Sequence, residues 1–363
     1  MMPKQSPLHD LLEAAGAKFD GDNIHAMPSS FSSTPEHNDQ LLNGSVLFDL
    51  SLRTKIEVAG KEALMFLHNL CTNEIKKLPE NAGCEAFFTT NKAKVIAYGY
   101  ISHSVRDNND VLLFDTVAGL NETVFQHFDR HWISEDIEIT DRTDELGMLH
   151  VCGATAPATL TEVLGQEVPQ LNELHHTNIT VPIGEVMVRR HDYLGFLGFD
   201  LIASVEATRE LWQKLLTTKA EPAGSEVWET LRVEVGQPVF GKDLDENRMA
   251  AEVGRIEQAI SYNKGCYLGQ ETIVMARDRG HVNRTLMGLI LSESGMTRSG
   301  DKVFLGDKEV GVVTSAIDSQ RFQRNLALAY LTRGNQDPGT ELEVETANGR
   351  ATATVYQLPF PKP

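Results

Sequence analysis

The most informative stretch of this sequence is KGCYLGQE, at residues 264–271. It places Cys266 two residues after Lys264 in a turn flanked by glycines. A nearby ammonium and a mobile backbone can lower the pKa of a thiol and expose its sulfur, so the stretch has the residues of a reactive thiolate. The same residue types also suit a buried structural cysteine that follows a tight turn. On residue types alone, both interpretations stay open.

Length and charge limit the classes of function. The chain has 363 residues, which exceeds one ordinary hydrophobic core and predicts two or three domains. Its formal net charge of -18 repels phosphate backbones, and no Lys/Arg run supplies a local basic patch, so we expect no nucleic-acid partner. No apolar run is long enough to span a bilayer, and the first residues lack the pattern of a signal or transit peptide. We therefore expect a cytoplasmic protein without a membrane partner.

The cysteines lie far apart, at Cys71, Cys84, Cys152 and Cys266. They form neither a CxxC pair nor a zinc-like spacing with histidine. We expect free thiols in a reducing compartment and no metal site held by this chain alone.

Two polar clusters are interpreted as surface features. His175 and His176 are adjacent, so on an extended segment they point to opposite faces, and no third metal ligand is nearby. Asp243, Asp245 and Glu246 lack the glycine and the terminal glutamate of a calcium loop. We expect a solvated histidine loop and an acidic cluster that serves loop capping and surface charge.

Apolar periodicity gives the organisation of the chain. Alternation at residues 55–58 predicts a strand, and residues 63–70 follow as a helix. A similar strand, turn and helix begins at residues 149–153, which hints at two related α+β halves. Residues 107–110 have the composition of a turn between two antiparallel strands.

Helical faces predict part of the core. Val124, Phe128 and Trp132 share one helical face and are expected to be buried. Ser204 is expected to cap the next helix, whose apolar residues recur at i, i+4 spacing.

Short apolar strands separated by Gly, Asp and Asn turns follow Gly280 and predict a small antiparallel barrel. We divide the chain into an N-terminal helix with a polar extension (1–44), an α+β region of two subdomains (45–281) and the barrel (282–363).

A helix is predicted over residues 228–234. Trp228 and Arg232 lie four residues apart on it and project from the same side. An indole face and a guanidinium together suit a ligand with a planar heterocycle and a carboxylate tail. The alternative is a core tryptophan, with Arg232 bridged to Glu229 at i, i+3 spacing.

The stretch at residues 264–271, continued by Arg277 and by GHVNR at residues 280–284, resembles the signature of the YgfZ-type folate-binding proteins. These are relatives of the glycine-cleavage T-protein that support iron–sulfur cluster assembly. The helix at residues 228–234 and the loop after it are similar to the folate-site helix and loop of that superfamily through Gly236, Pro238, Gly241, Asp245 and Glu246.

The resemblance extends from about residue 45 into the C-terminal barrel. It implies an α+β, T-protein-like fold with two interleaved α+β subdomains and a C-terminal antiparallel β-barrel around a central channel. It also implies tetrahydrofolate or a derivative as the ligand. The folate-binding residues that we expect are Arg232, Trp228, Tyr98, Gln270, Glu271 and Arg53.

The family's role implies that Cys266 helps to maintain or mature iron–sulfur proteins, with Lys264 favouring the thiolate. The expected partners are folate and iron–sulfur enzymes or cluster-assembly proteins. A lone cysteine cannot hold a cluster unaided, so a protein partner or an external thiol is implied.

Two departures from the family bear on catalysis. The aminomethyltransferases carry acidic residues on a strand that corresponds to residues 94–99, yet no Asp or Glu occurs from Ala86 to Arg106. With Ala97 and Tyr98 in that stretch, the mechanism lacks its charged general acid/base, which argues against an aminomethyltransferase.

The second departure lies at residues 193–200, which look like the family's glycine-rich turn. Phe196 and Leu197 stand where acids normally hold the pterin, so pterin recognition is looser or relies on other groups.

Two alternatives remain open. One is a folate-dependent aminomethyltransferase, or another one-carbon transferase of the T-protein type, whose acid comes from elsewhere in the fold. The other is a non-catalytic folate-binding scaffold in which Cys266 is structural.

Overall fold

The computed structural model describes residues 5–20, 27–32, 37–278, 282–292 and 296–361. Two compact units make up the chain. The first comprises Met1–His68, Glu74–Glu85 and Gly99–Trp228, and the second comprises Asn69–Asn73, Ala86–Tyr98 and Glu229–Pro363.

Both units contain helices and strands. The helices are α1 (His9–Ala14), α2 (His37–Asn43), α3 (Ala63–Leu70), α4 (Asn121–His131), α5 (Ala156–Leu164), α6 (Val205–Thr217), α7 (Ser225–Glu234), α8 (Ile256–Ala259) and α9 (Gln270–Asp278), with a 3-10 turn at Ala250–Glu252. The strands are β1 (Ala17–Lys18), β2 (Ser30–Phe31), β3 (Ser45–Asp49), β4 (Thr54–Gly60), β5 (Gly83–Thr89), β6 (Val95–Arg106), β7 (Asn109–Thr116), β8 (Glu138–Asp141), β9 (Leu146–Cys152), β10 (His176–Val181), β11 (Gly184–Arg190), β12 (Gly198–Ser204), β13 (Ala220–Pro222), β14 (Arg284–Leu291), β15 (Lys302–Leu305), β16 (Lys308–Ser319), β17 (Arg324–Thr332), β18 (Glu341–Thr346) and β19 (Gly349–Tyr356).

The first unit contains a sheet of order β10-β11-β12-β9-β3-β13. One face of this sheet is apolar, because alternate strand residues such as Leu149 and Leu201 point to it and pack with Leu211 and Trp212 of α6. As predicted, Ser204 caps α6, and its side chain accepts a hydrogen bond from the backbone N–H of Ala207.

The opposite face of the same sheet carries a row of one guanidinium, one carboxylate and two rings. Arg189 lies beside Asp200, Asp200 beside His150, and His150 beside Phe48, each pair in direct register on neighbouring strands. Residues that oppose each other in register share a face, so the four side chains form one line across β11, β12, β9 and β3. All four are fully buried.

A second sheet has the order β5-β6-β7-β4-β8. Its β6–β7 hairpin turns through Asp107 and Asn108, both in the left-handed region with φ of 53° and 60°, at the predicted position. Such a turn favours Asp, Asn and Gly. A Cβ on Gly99 would overlap the carbonyl oxygen of Asp115, so only glycine fits where these strands approach.

The prediction of a buried Trp132 is wrong. Val124 and Phe128 are buried on α4, and Phe128 packs edge-on against Phe66. The helix ends at His131, however, and Trp132 takes an extended backbone conformation in which it is 41% exposed. Once the helical geometry stops, a 3.6-residue period no longer places the next side chain on the buried face.

The second unit contains the predicted antiparallel barrel, which is closed in the order β14-β17-β16-β15-β18-β19. Closure occurs because β14 pairs with both β17 and β19. Its interior is aliphatic and includes Leu289, Val303, Val313, Leu331, Val344 and Val355. Gly280 and His281, next to the boundary placed at residue 282, lie outside the described residues, so that boundary stays a prediction.

Among the helices of the described ranges, none combines the length and the apolarity that crossing a bilayer requires.

We expect Leu201→Ala to lower the free energy of unfolding by about 2 to 5 kcal/mol, because it leaves a cavity in the core of the first unit. Urea unfolding followed by circular dichroism measures this. The matched control is Leu42→Ala, at a residue that is 65% exposed, which should change stability by less than about 0.5 kcal/mol. Equal losses in the two variants would contradict the described core.

Candidate functional site

Cys266 is exposed, and the turn that carries it is anchored. The backbone N–H of Leu268 donates to the carbonyl oxygen of Asn69 at 2.9 Å, and the Thr89 hydroxyl donates to the carbonyl oxygen of Leu268 at 2.9 Å. Gly269 has φ of 86° and packs so closely on Thr89 that a side chain at this position would collide. Cys266 is therefore exposed on a backbone that is fixed on its C-terminal side.

Lys264 fixes the other side of this turn. It is only 7% exposed, and its ammonium donates to the carbonyl oxygens of Cys71 at 2.8 Å and Asn73 at 2.6 Å. The same ammonium lies 4.8 Å from the ring centroid of Tyr267. These contacts give Lys264 a clear structural task, and its effect on the neighbouring thiol stays a prediction.

Gln270 and Glu271 open helix α9. The Gln270 amide donates to the carbonyl oxygen of Gly265 at 3.3 Å and so closes the turn around Cys266. Glu271 is exposed in the first helical turn, where a carboxylate interacts favourably with the helix dipole.

The other cysteines differ from Cys266 in exposure. Cys71 and Cys152 are buried and Cys84 is half-buried, all as free thiols. Burial, assisted by the charge of Asp200, raises the pKa of the Cys152 thiol far above its ordinary value.

Arg232 is buried in the second unit, with 1% of the residue exposed. Its Nε and one terminal nitrogen donate to Glu229 at 3.0 and 2.5 Å, and the other terminal nitrogen donates to Asp243 at 2.6 Å. It also donates to the Ser315 hydroxyl at 2.6 Å. The i, i+3 bridge to Glu229 is thus present, and every guanidinium nitrogen already has a protein acceptor.

The interpretation of Asp243 as surface charge is wrong. Asp243 is buried and accepts hydrogen bonds from Thr314 at 2.6 Å and Ser315 at 2.7 Å besides the pair with Arg232. Its loop-capping role is present as well, because it accepts from the backbone N–H of Val239. A carboxylate beside a buried guanidinium costs less than either charge alone, which accounts for its burial.

Tyr98 is also buried. Its ring stacks on Phe87 with centroids 4.7 Å apart, and its hydroxyl accepts a hydrogen bond from the Gln237 amide at 2.8 Å. Tyr98 therefore lies within the apolar cluster of the second unit that also holds Tyr267.

Trp228 lies half-buried at the edge of an aromatic cluster in the first unit. Its ring meets Phe48 at 5.1 Å, Tyr193 at 5.2 Å and His150 at 6.0 Å between centroids, all edge-on. Tyr193 is half-buried too. The cluster thus offers two partly exposed aromatic rings, of which the sequence analysis found only Trp228.

Arg53 lies close to this cluster. Its side chain is 14% exposed, and it donates to one oxygen of Asp115 through Nε at 3.0 Å and a terminal nitrogen at 2.7 Å. Its guanidinium carbon is 5.9 Å from the ring centroid of Tyr100, which in turn lies 6.0 Å from that of Tyr193. The other terminal nitrogen of Arg53 has no hydrogen-bond partner among the described residues.

Sequence reasoning missed the network behind these rings. One Asp200 oxygen accepts from Nδ1 of His150 at 2.9 Å, and the other accepts from Nδ1 of His191 at 2.7 Å and from Arg189 at 2.8 and 3.1 Å. Arg189 also donates to Asp115 at 2.6 Å. The available signal was a charged or imidazole residue inside otherwise apolar strands, which marks a partner elsewhere in the fold.

The charges of Asp200 and His191 in this network are fixed at neutral pH. Burial alone would raise the pKa of Asp200, but His191, Arg189 and His150 together hold it well below its ordinary value. Burial lowers the pKa of His191 to about 4 against the opposing effect of Asp200. His191 is therefore neutral at pH 7, and it carries its proton on Nδ1, which donates to Asp200.

The interpretation of His176 as part of a solvated loop is wrong. His176 begins β10, is buried and has Nε2 3.0 Å from the hydroxyl of Ser104. Pairing with β11 draws this residue into the sheet, which the local sequence does not reveal.

The predicted site residues thus fall into two groups. In the second unit Cys266, Lys264 and Gln270 share one turn, whereas Arg232 and Tyr98 are enclosed by protein partners. In the first unit Trp228 and Arg53 are linked through aromatic rings.

The chain is similar to known proteins over nearly its whole length. Residues 8–264 match the family model of the GCVT N-terminal domain, and residues 284–362 match that of the glycine cleavage T-protein C-terminal barrel domain. Curated relatives include an aminomethyltransferase of Bacillus pumilus (strain SAFR-032), 29% identical over 375 residues, with 99% of each chain covered. An aminomethyltransferase of Bacillus mycoides (strain KBAB4) is 28% identical over 374 residues, covering 99% of this chain and 98% of the relative.

Among solved structures, the glycine cleavage system aminomethyltransferase T from Bartonella henselae superposes with a TM-score of 0.89 at 22% identity, covering 99% of this chain and 98% of that one. This likeness confirms the predicted fold class, in which α+β content is joined to a C-terminal antiparallel barrel.

We expect native protein treated with Ellman's reagent to show one fast-reacting thiol, because only Cys266 is exposed among the described cysteines. Cys84 should react more slowly, and Cys71 and Cys152 only after denaturation. Cys266→Ala should remove the fast phase. A fast phase that persists in this variant would contradict the described exposure.

We expect stability to fall as the pH drops from 6.5 towards 4. His127, His176 and His191 each have a pKa lowered to about 4, chiefly by burial, so in this range the unfolded chain binds protons that the folded chain excludes. Each histidine contributes up to about 1.4 kcal/mol per pH unit. Urea unfolding across this range tests the slope, and His127→Leu should reduce it. A flat profile would show that these histidines already take up protons in the folded state.

Proposed function

The chain belongs to the glycine cleavage T-protein family, and from that premise we propose that it binds tetrahydrofolate and uses Cys266 to support assembly or repair of iron–sulfur clusters. The observation that carries this proposal is the exposed Cys266 thiol on an anchored turn.

The exposure of Cys266 favours a thiol with a chemical role over a structural thiol. A structural cysteine behaves as a small apolar residue and is usually buried, as Cys71 and Cys152 are. Cys266 differs, because the residue is exposed while Lys264 and Gln270 hold the neighbouring backbone. A thiolate is both a nucleophile and a ligand for iron. The resemblance of residues 264–271 to the YgfZ-type signature supports the same assignment.

One cysteine supplies one ligand to a cluster. We therefore propose that Cys266 acts with a protein partner, either an iron–sulfur enzyme or a cluster-assembly protein, or with an external thiol. Lys264, Gln270 and Glu271 order the turn in this proposal.

Missing acids support a role other than aminomethyl transfer. No Asp or Glu occurs between Ala86 and Arg106, and Tyr98 is packed on Phe87 instead. A general acid or base has to reach the proton that it transfers. The stretch that carries acids in the aminomethyltransferases therefore supplies none here.

Several residues of the first unit fit tetrahydrofolate. Trp228 and Tyr193 offer partly exposed aromatic rings for a planar pterin, and Arg53 has a terminal nitrogen without a partner among the described residues. Tetrahydrofolate, when bound, supplies a carrier for one-carbon units. The chain's own residues stack the ring and orient the carboxylate tail.

Arg232 fits this ligand less well. Glu229 and Asp243 already neutralise its guanidinium, so a folate carboxylate would have to displace one of them. In this proposal Arg232 contacts folate only if Glu229 or Asp243 is displaced. Tyr98 is buried, so it too contacts folate only if the groups packed on it are displaced.

A second candidate function is a folate-dependent one-carbon transferase of the aminomethyltransferase type. The names of the curated relatives favour it, since these align over 99% of this chain. Its acid would have to come from outside residues 86–106. A third candidate, a non-catalytic folate-binding scaffold, is weakened by the exposure of Cys266.

We expect a strain that lacks this protein to regain the activity of its iron–sulfur enzymes when it expresses the wild-type chain, and not when it expresses Cys266→Ala. The reason is that the variant keeps the fold but loses the sulfur ligand. Cys84→Ala is the matched control and should rescue fully, because Cys84 is half-buried and outside the turn.

Equal rescue by wild type and Cys266→Ala would remove the thiol proposal. Purified protein should then be assayed for aminomethyl transfer to tetrahydrofolate. Turnover that survives Cys266→Ala and is abolished by replacing an acidic residue would establish the second candidate.

A further inference from the structure

A loop that carries an exposed lysine packs against the turn around Cys266. It comprises residues 90–94 and joins β5 to β6. The contact is close, because a Cβ on Gly269 would lie 3.2 Å from Cα of Ala93. Only short lengths of chain separate Lys92 and Cys266 from this contact, which limits the distance between their Cα atoms to about 20 Å.

The loop is a closed turn. The backbone N–H of Thr90 donates to the carbonyl oxygen of Lys94 at 2.9 Å, and that of Ala93 donates to the carbonyl oxygen of Thr90 at 2.9 Å. The Thr90 hydroxyl accepts from the backbone N–H groups of Lys92 at 3.3 Å and Lys94 at 3.2 Å. Ala93 completes the turn in the left-handed conformation, with φ of 58°. The backbone of Lys92 is therefore held at a defined place beside the Cys266 turn.

The two lysines of this loop differ in their contacts. Lys94 donates to the carbonyl oxygen of Asn247. Lys92 is exposed, and its ammonium has no hydrogen bond or ion pair among the described residues. Residues 86–98 contain these two lysines and no Asp or Glu. Lys92 thus supplies a cation that is available to a reactant approaching the exposed cysteine.

The surroundings of the turn are neutral, although the chain has a formal net charge of -18. Residues 245–278 carry four cations and six anions, and the two lysines of the loop balance the difference. Within that range Arg277 pairs with Asp278 at 2.7 Å, and Lys264 is buried. Removing the charge of Lys92 would therefore leave the surroundings of Cys266 anionic, like the rest of the chain.

The reactant in the proposed function is negatively charged. A cluster held by cysteine thiolates is an anion, because the charge of the thiolates exceeds that of the iron–sulfide core. An acidic protein is also repelled by the overall charge of this chain. A local cation beside the reacting sulfur steers such a reactant to the correct face and raises its rate of association.

We propose that the Cys266 turn and the loop at residues 90–94 form one docking surface, on which Lys92 binds the acidic face around a thiolate-held cluster of the partner protein. This proposal rests on the proposed function and deepens it, since it assigns the chemistry of the partner. A basic partner face would be repelled by Lys92.

The first test uses two thiol reagents on the full-length chain, methanethiosulfonates that carry either a sulfonate or a trimethylammonium group. At about 10 mM salt, we expect Lys92→Glu to slow the reaction of Cys266 with the anionic reagent about two- to fivefold and to accelerate that with the cationic reagent by a similar factor. The reason is that the screening length then exceeds the separation. Both differences should vanish at about 1 M salt, and Cys266→Ala gives the background from the other thiols.

Two further variants separate a local charge effect from general damage. Lys92→Gln removes one unit of charge where Lys92→Glu changes two, so its effect on the logarithm of the rate should be about half as large. Lys308→Glu makes the same charge reversal at an exposed lysine that begins β16 of the barrel, and it should change the rates far less. Equal effects in Lys92→Glu and Lys308→Glu, or effects that persist at high salt, would overturn the docking surface.

The second test measures how fast purified protein restores an oxidised iron–sulfur hydratase. Lys92→Glu should slow restoration severalfold at low salt, and Lys92→Arg, which keeps the charge, should slow it less. If wild-type protein restores nothing, the proposed function fails, while the reagent rates still decide whether the surface attracts anions. Restoration that is unaffected by Lys92→Glu, despite altered reagent rates, would overturn the partner assigned to this surface.

Discussion

The buried pairing of Arg189 with Asp200 is the constraint on which the first unit depends. The two side chains occupy neighbouring strands of a sheet whose other face is wholly apolar around Leu149 and Leu201. A buried charge without a partner is costly, and removing one member of such a pair typically destabilises a protein by about 3 to 5 kcal/mol. Arg189 also meets Asp115, which Arg53 binds from its other side, so two guanidiniums balance two carboxylates.

The charge balance of this network depends on the contacts of Asp200. Asp200 is fully buried and accepts hydrogen bonds from Arg189, His191 and His150. It orients the two imidazoles that donate to it, His150 and His191. Trp228 supplies the neighbouring aromatic surface.

The sequence predicted those parts of the fold that local pattern determines. The Ser204 cap, the turn at Asp107 and Asn108 and the aliphatic strands of the barrel each depend on residues a few positions apart. Prediction from the sequence failed where the burial of a side chain depends on a partner far away along the chain. Arg189 binds Asp115 across 74 positions and Arg232 binds Ser315 across 83, and no periodicity encodes either pair.

The candidate site shows the same division. The turn around Cys266 could be recognised because its residues are contiguous. What holds that turn could not, since Lys264 reaches back to the carbonyl oxygen of Cys71, 193 positions earlier. The His150 network was missed for the same reason, because its members lie on separate strands. In both places the chemistry-bearing residue is visible in the sequence, and the residues that position it are not.

We propose that the exposed Cys266 works on iron–sulfur clusters in a chain of T-protein fold. The most direct test of this proposal is the rate at which purified protein restores an oxidised [4Fe–4S] hydratase supplied with iron, sulfide, a thiol and tetrahydrofolate. The account predicts that wild-type protein accelerates recovery severalfold and that Cys266→Ala leaves the unassisted rate. Acceleration by the variant equal to that by the wild type would contradict it.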